Sequence, residues 1–308
     1  MTTVTIVVPT YNRCDSLLDL LGSILALEIP DGVRCDLIVV DNNSTDATAA
    51  VVERVARNSP LSIRYLREIR QGVSYARNSG AQASDSELVL FADDDVRLDK
   101  GWLQALVASF ARHDVACIGG KVLPNWLGPR PPWLKDQFLN VLAMLDYGDR
   151  AQELGRNGDS RILYAANMAF KRSVFLAEGG FDTRIGRFGA YGSGEDQELV
   201  ERLIQRGYQV VYEPAAVVLH RVDPSRMRKR YFRRWHFVAG RDRARVVRPA
   251  RFHLLGIESY LLVEFARSAG RLAVSACTLR LDEVFEHELK CILYLSIFGH
   301  KVRRAISP

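Results

Sequence analysis

Three consecutive carboxylates, Asp93, Asp94 and Asp95, follow the run Glu87–Phe91, which is apolar after its first residue. Adjacent carboxylates repel one another, so a fold tolerates them best where a divalent cation or solvent absorbs the charge. The run predicts a buried strand of a parallel sheet, and such sheets bind ligands at the carboxyl ends of their strands. Because oxygen ligands suit Mg²⁺ or Mn²⁺, the triplet predicts a metal site for a nucleotide diphosphate, with a solvated turn as the alternative.

A second acidic pair, Glu195 and Asp196, opens a segment whose apolar spacing predicts an amphipathic helix to Leu203. Acidic residues in a first turn are stabilised by the helix dipole, which is a structural explanation for the pair. The preceding segment, Gly186–Gly194, contains four glycines. It could close over a substrate or simply connect two elements.

The first 120 residues alternate between β-branched runs and helical patterns. The predicted strands are Thr5–Pro9, Asp36–Val40, Ser62–Leu66 and Glu87–Phe91, and the predicted helices are Asp15–Leu27, Ala47–Arg57, Val73–Ala83 and Gly101–Ala111. This alternation predicts an α/β fold with a mainly parallel sheet flanked by helices. The first strand-to-helix turn lacks the fingerprint GxGxxG and the phosphate loop GxxxxGK[ST], which disfavours a dehydrogenase and a P-loop kinase.

Residues 121–220 are less regular. The predicted elements are a strand at Arg161–Phe170, a helix at Arg172–Glu178, and strands at Gln209–Tyr212 and Ala216–His220. Proline, glycine and tryptophan between Pro124 and Trp133 predict a loop at the surface or facing a substrate. We therefore predict a catalytic domain at 1–220, with a nucleotide-binding half at 1–120 and an acceptor half at 121–220.

The charge of the chain is uneven. Its net charge is +6, yet residues 221–251 contain twelve Lys and Arg against Asp223 and Asp242. Such a segment predicts contact with anionic lipid, nucleic acid or phosphorylated substrates, or else a solvated basic helix. The five cysteines are widely spaced, no signal peptide is visible and no apolar run could span a membrane, so a cytosolic protein is expected.

Five sequence blocks together resemble family 2 glycosyltransferases of the GT-A fold, and the resemblance covers about residues 4–220. The blocks are Val8–Arg13, Val40–Asp46, Gly72–Gly80, Asp93–Asp95 and Gly194–Leu199. The resemblance implies inverting transfer of a sugar from a nucleotide diphosphate donor to an acceptor hydroxyl, assisted by Mg²⁺ or Mn²⁺. Such a displacement requires a base on the acceptor side and charge stabilisation on the leaving diphosphate.

The resemblance also implies roles for the carboxylates. Asp196 would be the base, with Glu195 as the competing candidate because the charge of one neighbour can raise the pKa of the other. Asp95 would bind the metal, Asp93 would lie near the ribose or the metal, and Asp94 would stabilise the turn. His220, at the end of the last predicted strand, would lie near the metal or diphosphate, or serve as a structural histidine.

Other matching positions would hold the nucleotide and the acceptor. Those expected at the nucleotide are Pro9, Thr10, Tyr11, Arg13, Asp41, Arg77, Asp93 and Asp94. Asp41 could accept the N3–H of a uracil or form an Asx turn, and Arg77 could contact the diphosphate or clamp Asp41 or Asp93. On the acceptor side we expect Asn167, with Trp126 and Trp133 from the predicted loop.

Residues 221–308 form a basic helical extension for which the resemblance gives no guidance. Cations and aromatics alternate in Arg226–Phe237, as in an interfacial helix that turns its aromatics to lipid. RNA binding or a lipid pyrophosphate acceptor would suit the same composition. Two further helices are predicted at Phe252–Ala266 and Glu283–Phe298. Both are rich in Leu, Ile, Val and Phe but are interrupted by charged residues, so they should lie on a membrane surface, on the catalytic domain or on a second subunit.

The sequence thus predicts a metal-dependent inverting glycosyltransferase. It would use a nucleotide-sugar donor, with a UDP-sugar favoured by Asp41, and a glycan or lipid-linked acceptor. Residues 221–300 would contact the inner face of the cell membrane peripherally. The chain could also form a homo-oligomer, whereas binding to nucleic acid is disfavoured. The alternatives are a sugar-phosphate nucleotidyltransferase, although Thr10–Cys14 lacks the expected glycine, and a nucleic-acid-binding protein that uses the basic tail.

Overall fold

A computed structural model describes residues 1–112, 114–155, 161–185, 194–246, 253–254 and 257–306. The chain divides into two compact units. Unit 1 comprises residues 1–127, 142–190 and 194–222, and unit 2 comprises residues 128–141, 191–193 and 223–308. The glycine-rich segment predicted as a closing loop lies, up to residue 193, outside the described residues.

Unit 1 is a mixed α/β layer structure around one sheet. Its strands are β1 (Thr2–Thr10), β2 (Val33–Asp41), β3 (Ser62–Arg67), β4 (Leu88–Phe91), β5 (Val96–Leu98), β6 (Cys117–Trp126), β7 (Gln152–Glu153), β8 (Met168–Lys171) and β9 (Val210–Val222). Its helices are α1 (Cys14–Leu25), α2 (Thr48–Arg57), α3 (Val73–Ala83), α4 (Trp102–Arg112), α5 (Arg172–Ala177) and α6 (Glu195–Gln205). The strand order is β3-β2-β1-β4-β8-β6-β9-β5, and β7 pairs with β9.

The first four strands in this order are parallel, whereas β8 is antiparallel to both β4 and β6. Residues Val4–Thr10 are buried, as expected for a strand covered on both faces by helices. Helix α3 packs closely on β1, since a Cβ at Gly80 would lie 2.3 Å from Val7 Cγ1. These features confirm the predicted α/β class with a mainly parallel sheet flanked by helices.

The strand registers bring several loops to one edge of the sheet. Thr10 pairs with Asp41 at the ends of β1 and β2, and Val7 pairs with Phe91 at the end of β4. Val96 of β5 pairs with His220 of β9, so the residue after the acidic triplet lies beside this histidine. Four predicted site segments therefore meet at the carboxyl edge of the parallel strands.

The middle of the chain differs from its predicted elements. Of the strand predicted at 161–170, only residues 168–170 belong to a strand, β8, which continues to Lys171. The residues just before it, Ala165–Asn167, form a 3₁₀ turn. The two short strands predicted at 209–220 are one strand, β9, whose pairing with β6 shifts register between Gly120 and Lys121. A shift of register absorbs the break that Pro214 introduces, so the strand continues through it.

Unit 2 consists of helices α7 (Lys229–Val246), α8 (Ser259–Cys277) and α9 (Leu281–Ile306), the hairpin strands β10 (His253–Leu254) and β11 (Ile257–Glu258), and the segment 128–141. Its interior contains a cluster of aromatic rings from Trp133, Phe138, Phe232 and Phe285 at centroid distances of 5.1–6.5 Å. A buried Lys301 donates to Glu258 Oε1 at 2.6 Å.

The orientation of α7 differs from the one predicted for an interfacial helix. Phe232 is fully buried and Trp235 is half-buried, while Phe237 remains exposed. Phe232 faces the interior because the rings of residues 133, 138 and 285 offer it apolar partners, which local sequence does not reveal. No helix in the described part of the chain has the length and apolar character needed to cross a membrane.

Candidate functional site

The acidic triplet follows β4, and each of its carboxylates meets a basic side chain. Arg77 Nη2 donates to Asp93 Oδ1 at 2.7 Å. Arg13 Nη1, at the start of α1, donates to Asp94 Oδ1 at 2.9 Å and to Asp95 Oδ2 at 2.8 Å. The repulsion between adjacent aspartates is therefore offset by cations from two helices of unit 1.

Arg77 connects this triplet to the second acidic pair. Its Nη1 donates to Glu195 Oε1 at 3.0 Å and to Asp196 Oδ1 at 3.3 Å. The side chain is buried and its guanidinium lies over the Phe181 ring, 5.2 Å from the centroid. Of the predicted partners of Arg77, the structure places Asp93 in contact with it, and it adds both carboxylates of α6.

Burial controls the protonation of two of these carboxylates. Burial, followed by the charge of Glu195, raises the pKa of Asp196 to about 8, although Arg77 opposes the shift. Burial also raises the pKa of Asp94 to about 6 against the opposing charge of Arg13. A carboxylate that titrates near neutral pH can accept a proton from a substrate, because its affinity for protons is far above that of an ordinary aspartate.

The predicted metal ligands are only partly grouped. Among the described residues, no set of three or more His, Cys, Asp or Glu side chains is placed to hold a metal ion. His220 Nε2 lies 3.2 Å from Asp95 Oδ1, while Asp93 is held by Arg77. Two adjacent ligands of an octahedral Mg²⁺ at 2.0–2.1 Å would be separated by about 3.0 Å. The 3.2 Å between His220 Nε2 and Asp95 Oδ1 is close to that spacing, and it is also the distance of a direct hydrogen bond between the two side chains. Asp95 and His220 could thus supply at most two ligands, and a substrate diphosphate and water would have to supply further oxygens.

The ends of β1 and β2 form the predicted nucleotide region. Asp41 is buried, and its carboxylate accepts from Ser44 N at 2.8 Å and from Tyr65 Oη at 2.6 Å. The bond to Ser44 reaches three residues along the chain, one more than in an Asx turn, but it is likewise a local side-chain-to-backbone bond that stabilises the end of β2. Thr10, predicted at the nucleotide, donates to Asp94 Oδ2 at 2.9 Å.

Sequence reasoning did not identify Tyr65, Asn42 or Glu68. The Asn42 amide donates to Glu68 O at 3.0 Å and Arg70 O at 2.7 Å, and its Oδ1 accepts from Gly72 N at 2.7 Å. Glu68 in turn pairs with Arg70 and accepts from Ser79 Oγ. These bonds fix the loop between β3 and α3, and the only sequence signal for them was the polar run after β2.

Asn167 is buried and every polar atom of its carboxamide is used. Trp102 Nε1 donates to Asn167 Oδ1 at 2.7 Å, and Asn167 Nδ2 donates to Lys121 O and Ala216 O at 2.8 Å each. A Cβ at Gly120 would lie 2.5 Å from this nitrogen, so only glycine fits there. The contacts give Asn167 a structural role between β6, β9 and α4, and its acceptor role stays a prediction.

The remaining predicted residues are dispersed. Pro9 lies in the buried part of β1, which ends at Thr10, and Tyr11 is exposed beyond it. Trp126 is the last residue of β6 in unit 1. Trp133 belongs to unit 2, where its ring packs against Phe232 and Phe285, so these contacts offer no support for its predicted role at the acceptor.

The chain is similar to known proteins over most of its length. The family model described as Glycosyl transferase family 2 matches residues 5–177. The glucosyl-dolichyl phosphate glucuronosyltransferase of Haloferax volcanii is 28% identical over 231 residues, which are 71% of this chain and 69% of that protein. The pre-mycofactocin glycosyltransferase of Mycobacterium tuberculosis is 28% identical over 70% of this chain, which spans only 42% of that protein.

A solved structure shares the fold. The mannosyltransferase from Pyrobaculum calidifontis, in complex with GDP-Man and Mn²⁺, superposes with a TM-score of 0.64 at 21% identity, over 97% of this chain and 86% of that one. At this identity the likeness concerns the GT-A fold. Because the family model matches more than half of its residues, the chain belongs to family 2 of the glycosyltransferases, enzymes that act on nucleotide sugars.

Proposed function

We propose that the chain transfers a sugar from a nucleotide diphosphate donor to an acceptor hydroxyl with inversion at the anomeric carbon. The observation that carries this proposal is the position of Arg77 between Asp93 and Asp196. One buried guanidinium holds a carboxylate at the donor end of β4 and a carboxylate with the pKa of a general base. A base and a donor site in such proximity are what a single displacement requires.

In this reaction the ionised Asp196 accepts the proton of the acceptor hydroxyl. The acceptor oxygen forms a bond to the anomeric carbon, and the bond from that carbon to the phosphate oxygen breaks on the opposite side. The nucleoside diphosphate leaves with the electron pair. Glu195 remains the competing base, because it lies in the same cluster and also contacts Arg77.

The donor is proposed to be a UDP-sugar, held near Pro9, Thr10, Tyr11 and Asp41. Asp95 and His220 would hold Mg²⁺ or Mn²⁺, which when bound would neutralise charge on the leaving diphosphate. Arg13 keeps Asp95 and Asp94 oriented, as the bonds at 2.8 and 2.9 Å indicate. The positive charge of Arg13 beside these carboxylates also reduces the repulsion between the triplet and the diphosphate.

The acceptor is proposed to be a lipid-linked or polysaccharide glycan. Support comes from the relative from Haloferax volcanii, which is named for action on a glucosyl-dolichyl phosphate. An acceptor of this class would bring the enzyme to the cytoplasmic face of a membrane. Membership of the glycosyltransferase family favours this activity over nucleotidyl transfer and over nucleic-acid binding.

Calorimetry with UDP and GDP, each with and without Mn²⁺, tests the donor and metal assignments. We expect UDP to bind in the presence of Mn²⁺ and to lose that binding in Asp95→Ala. Asp95→Asn, which preserves side-chain volume, guards against loss by misfolding, and Asp85→Ala provides an exposed matched control. Binding of GDP alone would reassign the donor, and binding of neither nucleotide under any condition would contradict the transferase proposal.

A further inference from the structure

Helix α8 of unit 2 turns one face inwards and exposes the face beside it to solvent. We call the exposed face, which carries Tyr260, Val263 and Val274, the outer face. Leu261, Ser268 and Ser275, spaced by seven residues, are buried. Leu261 belongs to a small core with Ala244, Ile257 and Ile297, against which residues of α9 pack. The inner face of α8 is thus already occupied within unit 2, and its outer face is available to a partner.

The outer face carries large apolar side chains. Tyr260 and Val263 are each 48% exposed and Val274 is 64% exposed, at positions that share one face of a helix. Gly270 lies on the same face and has no atom within 4 Å of the place where a Cβ would be. Exposed apolar residues that line up along one helix are costly in water and are typical of interaction surfaces.

Two arginines, Arg267 and Arg271, lie between these apolar residues, and Arg267 pairs with Glu264 at 2.6 Å. With Gly270 and Val274 they line an open cleft that also includes Ser275 of α8 and Glu283 and His287 of α9. Glu264 is the single acidic residue in the sequence of α8. The combination of Tyr, Val and Arg on one face matches a helix that lies in the plane of a bilayer interface. Arginine side chains can extend along the apolar residues and place their guanidinium groups at lipid phosphates.

We propose that the outer face of α8 docks on an anionic lipid bilayer, with Tyr260, Val263 and Val274 in the headgroup region. The net positive charge of unit 2 favours an anionic membrane over a second copy of the chain as the partner. Residues 223–308 contain eighteen Lys and Arg against eight Asp and Glu. Two copies of so basic a unit repel each other, whereas an anionic membrane attracts it. This surface goes beyond the transfer reaction and does not depend on the identity of the donor.

Flotation of the full-length protein with vesicles tests the surface. We expect binding to phosphatidylcholine vesicles that contain phosphatidylglycerol, weak binding to phosphatidylcholine alone, and loss of binding as salt rises. Val263→Glu together with Val274→Glu should weaken binding at least about tenfold, because both positions would enter the interface. Leu18→Glu with Leu25→Glu, exposed apolar positions on α1, should leave binding unchanged.

A fluorophore on Val274→Cys gives a second readout in a chain whose Cys14 and Cys277 are replaced by serine. Its emission should move to shorter wavelength with anionic vesicles, while a label on Leu25→Cys should not respond. Absence of vesicle binding by the wild type, or equal binding by the Val263/Val274 variant, would overturn the proposal. Dissociation of a dimer by that variant without any effect of lipid would instead assign the face to a second copy of the chain.

Discussion

Arg77 and Asp196 lie 119 residues apart in sequence, yet Arg77 Nη1 donates to Asp196 Oδ1 at 3.3 Å. The same guanidinium holds Asp93 at 2.7 Å, so the proposed base and the end of β4 share one rigid support. In the proposed reaction we assign Arg77 a positioning role, because its contacts hold a carboxylate on α6 near the proposed donor region.

Arg77→Lys should lower kcat by about 100-fold, because one ammonium cannot hold three carboxylates in the geometry of a planar guanidinium. Nucleotide affinity should change much less, since the variant retains the positive charge. Steady-state kinetics and calorimetry separate these effects. Arg57→Lys on α2, where the arginine is exposed and pairs with Glu53, should behave as wild type. A proportional loss of nucleotide binding would instead indicate direct contact of Arg77 with the donor.

Asp196→Asn should lower kcat by about 10²- to 10⁴-fold, because an amide cannot accept the acceptor proton. In the wild type, kcat should rise with pH through the pKa of about 8, since only ionised Asp196 is active as a base. Measurement of kcat against pH checks both expectations. If Asp196→Asn retains activity and Glu195→Gln abolishes it, the base is Glu195.

Glu68→Gln should reduce stability at neutral pH and have a diminishing effect in acid. The bonds from Arg70 lower the pKa of Glu68 to about 2 from an ordinary value of 4.5. Its contribution is therefore present above the unfolded pKa and is lost as pH falls through the folded one. Urea denaturation of both proteins at several pH values should show their free energies of unfolding converging in acid. Glu53→Gln is the control, because Glu53 is exposed and pairs with Arg57 at the surface. Its free energy of unfolding should stay close to that of the wild type at every pH.

Asn167→Ala should cost about 3 kcal/mol of stability, because Trp102 Nε1 and two backbone carbonyls lose their buried partner. Denaturation followed by tryptophan fluorescence measures this loss, and Asn58→Ala at an exposed helix end is the control. The folded fraction should bind nucleotide normally. A stable variant with a raised KM for the acceptor would support the acceptor role predicted for Asn167.

Much of unit 1 followed from the sequence. The alternation of β-branched runs and helical patterns predicted the parallel strands β1 to β4. In β1, β2 and β4 burial on both faces leaves a continuous apolar run, whereas the edge strand β3 is largely exposed and gave a weaker pattern. The strand ends then placed the acidic triplet at the edge where ligands bind. The predicted strand at 161–170 was wrong in most of its length, since the chain turns at Ala165–Asn167 to supply bonds that local propensity does not encode.

What the sequence by itself determined was the class of fold, the family and the identity of the acidic residues, all of which depend on local patterns and short motifs. The tertiary structure decided which cation meets which carboxylate, because those partners come from α1, α3 and β9. It also decided which residues of α7 and α8 are buried and which are exposed. For α7, composition left contact with lipid, RNA or a lipid pyrophosphate open, and in the structure Phe232 is buried against distant rings while Phe237 is exposed. Exposed apolar residues also lie on α8. Burial depends on partners that only the folded chain provides.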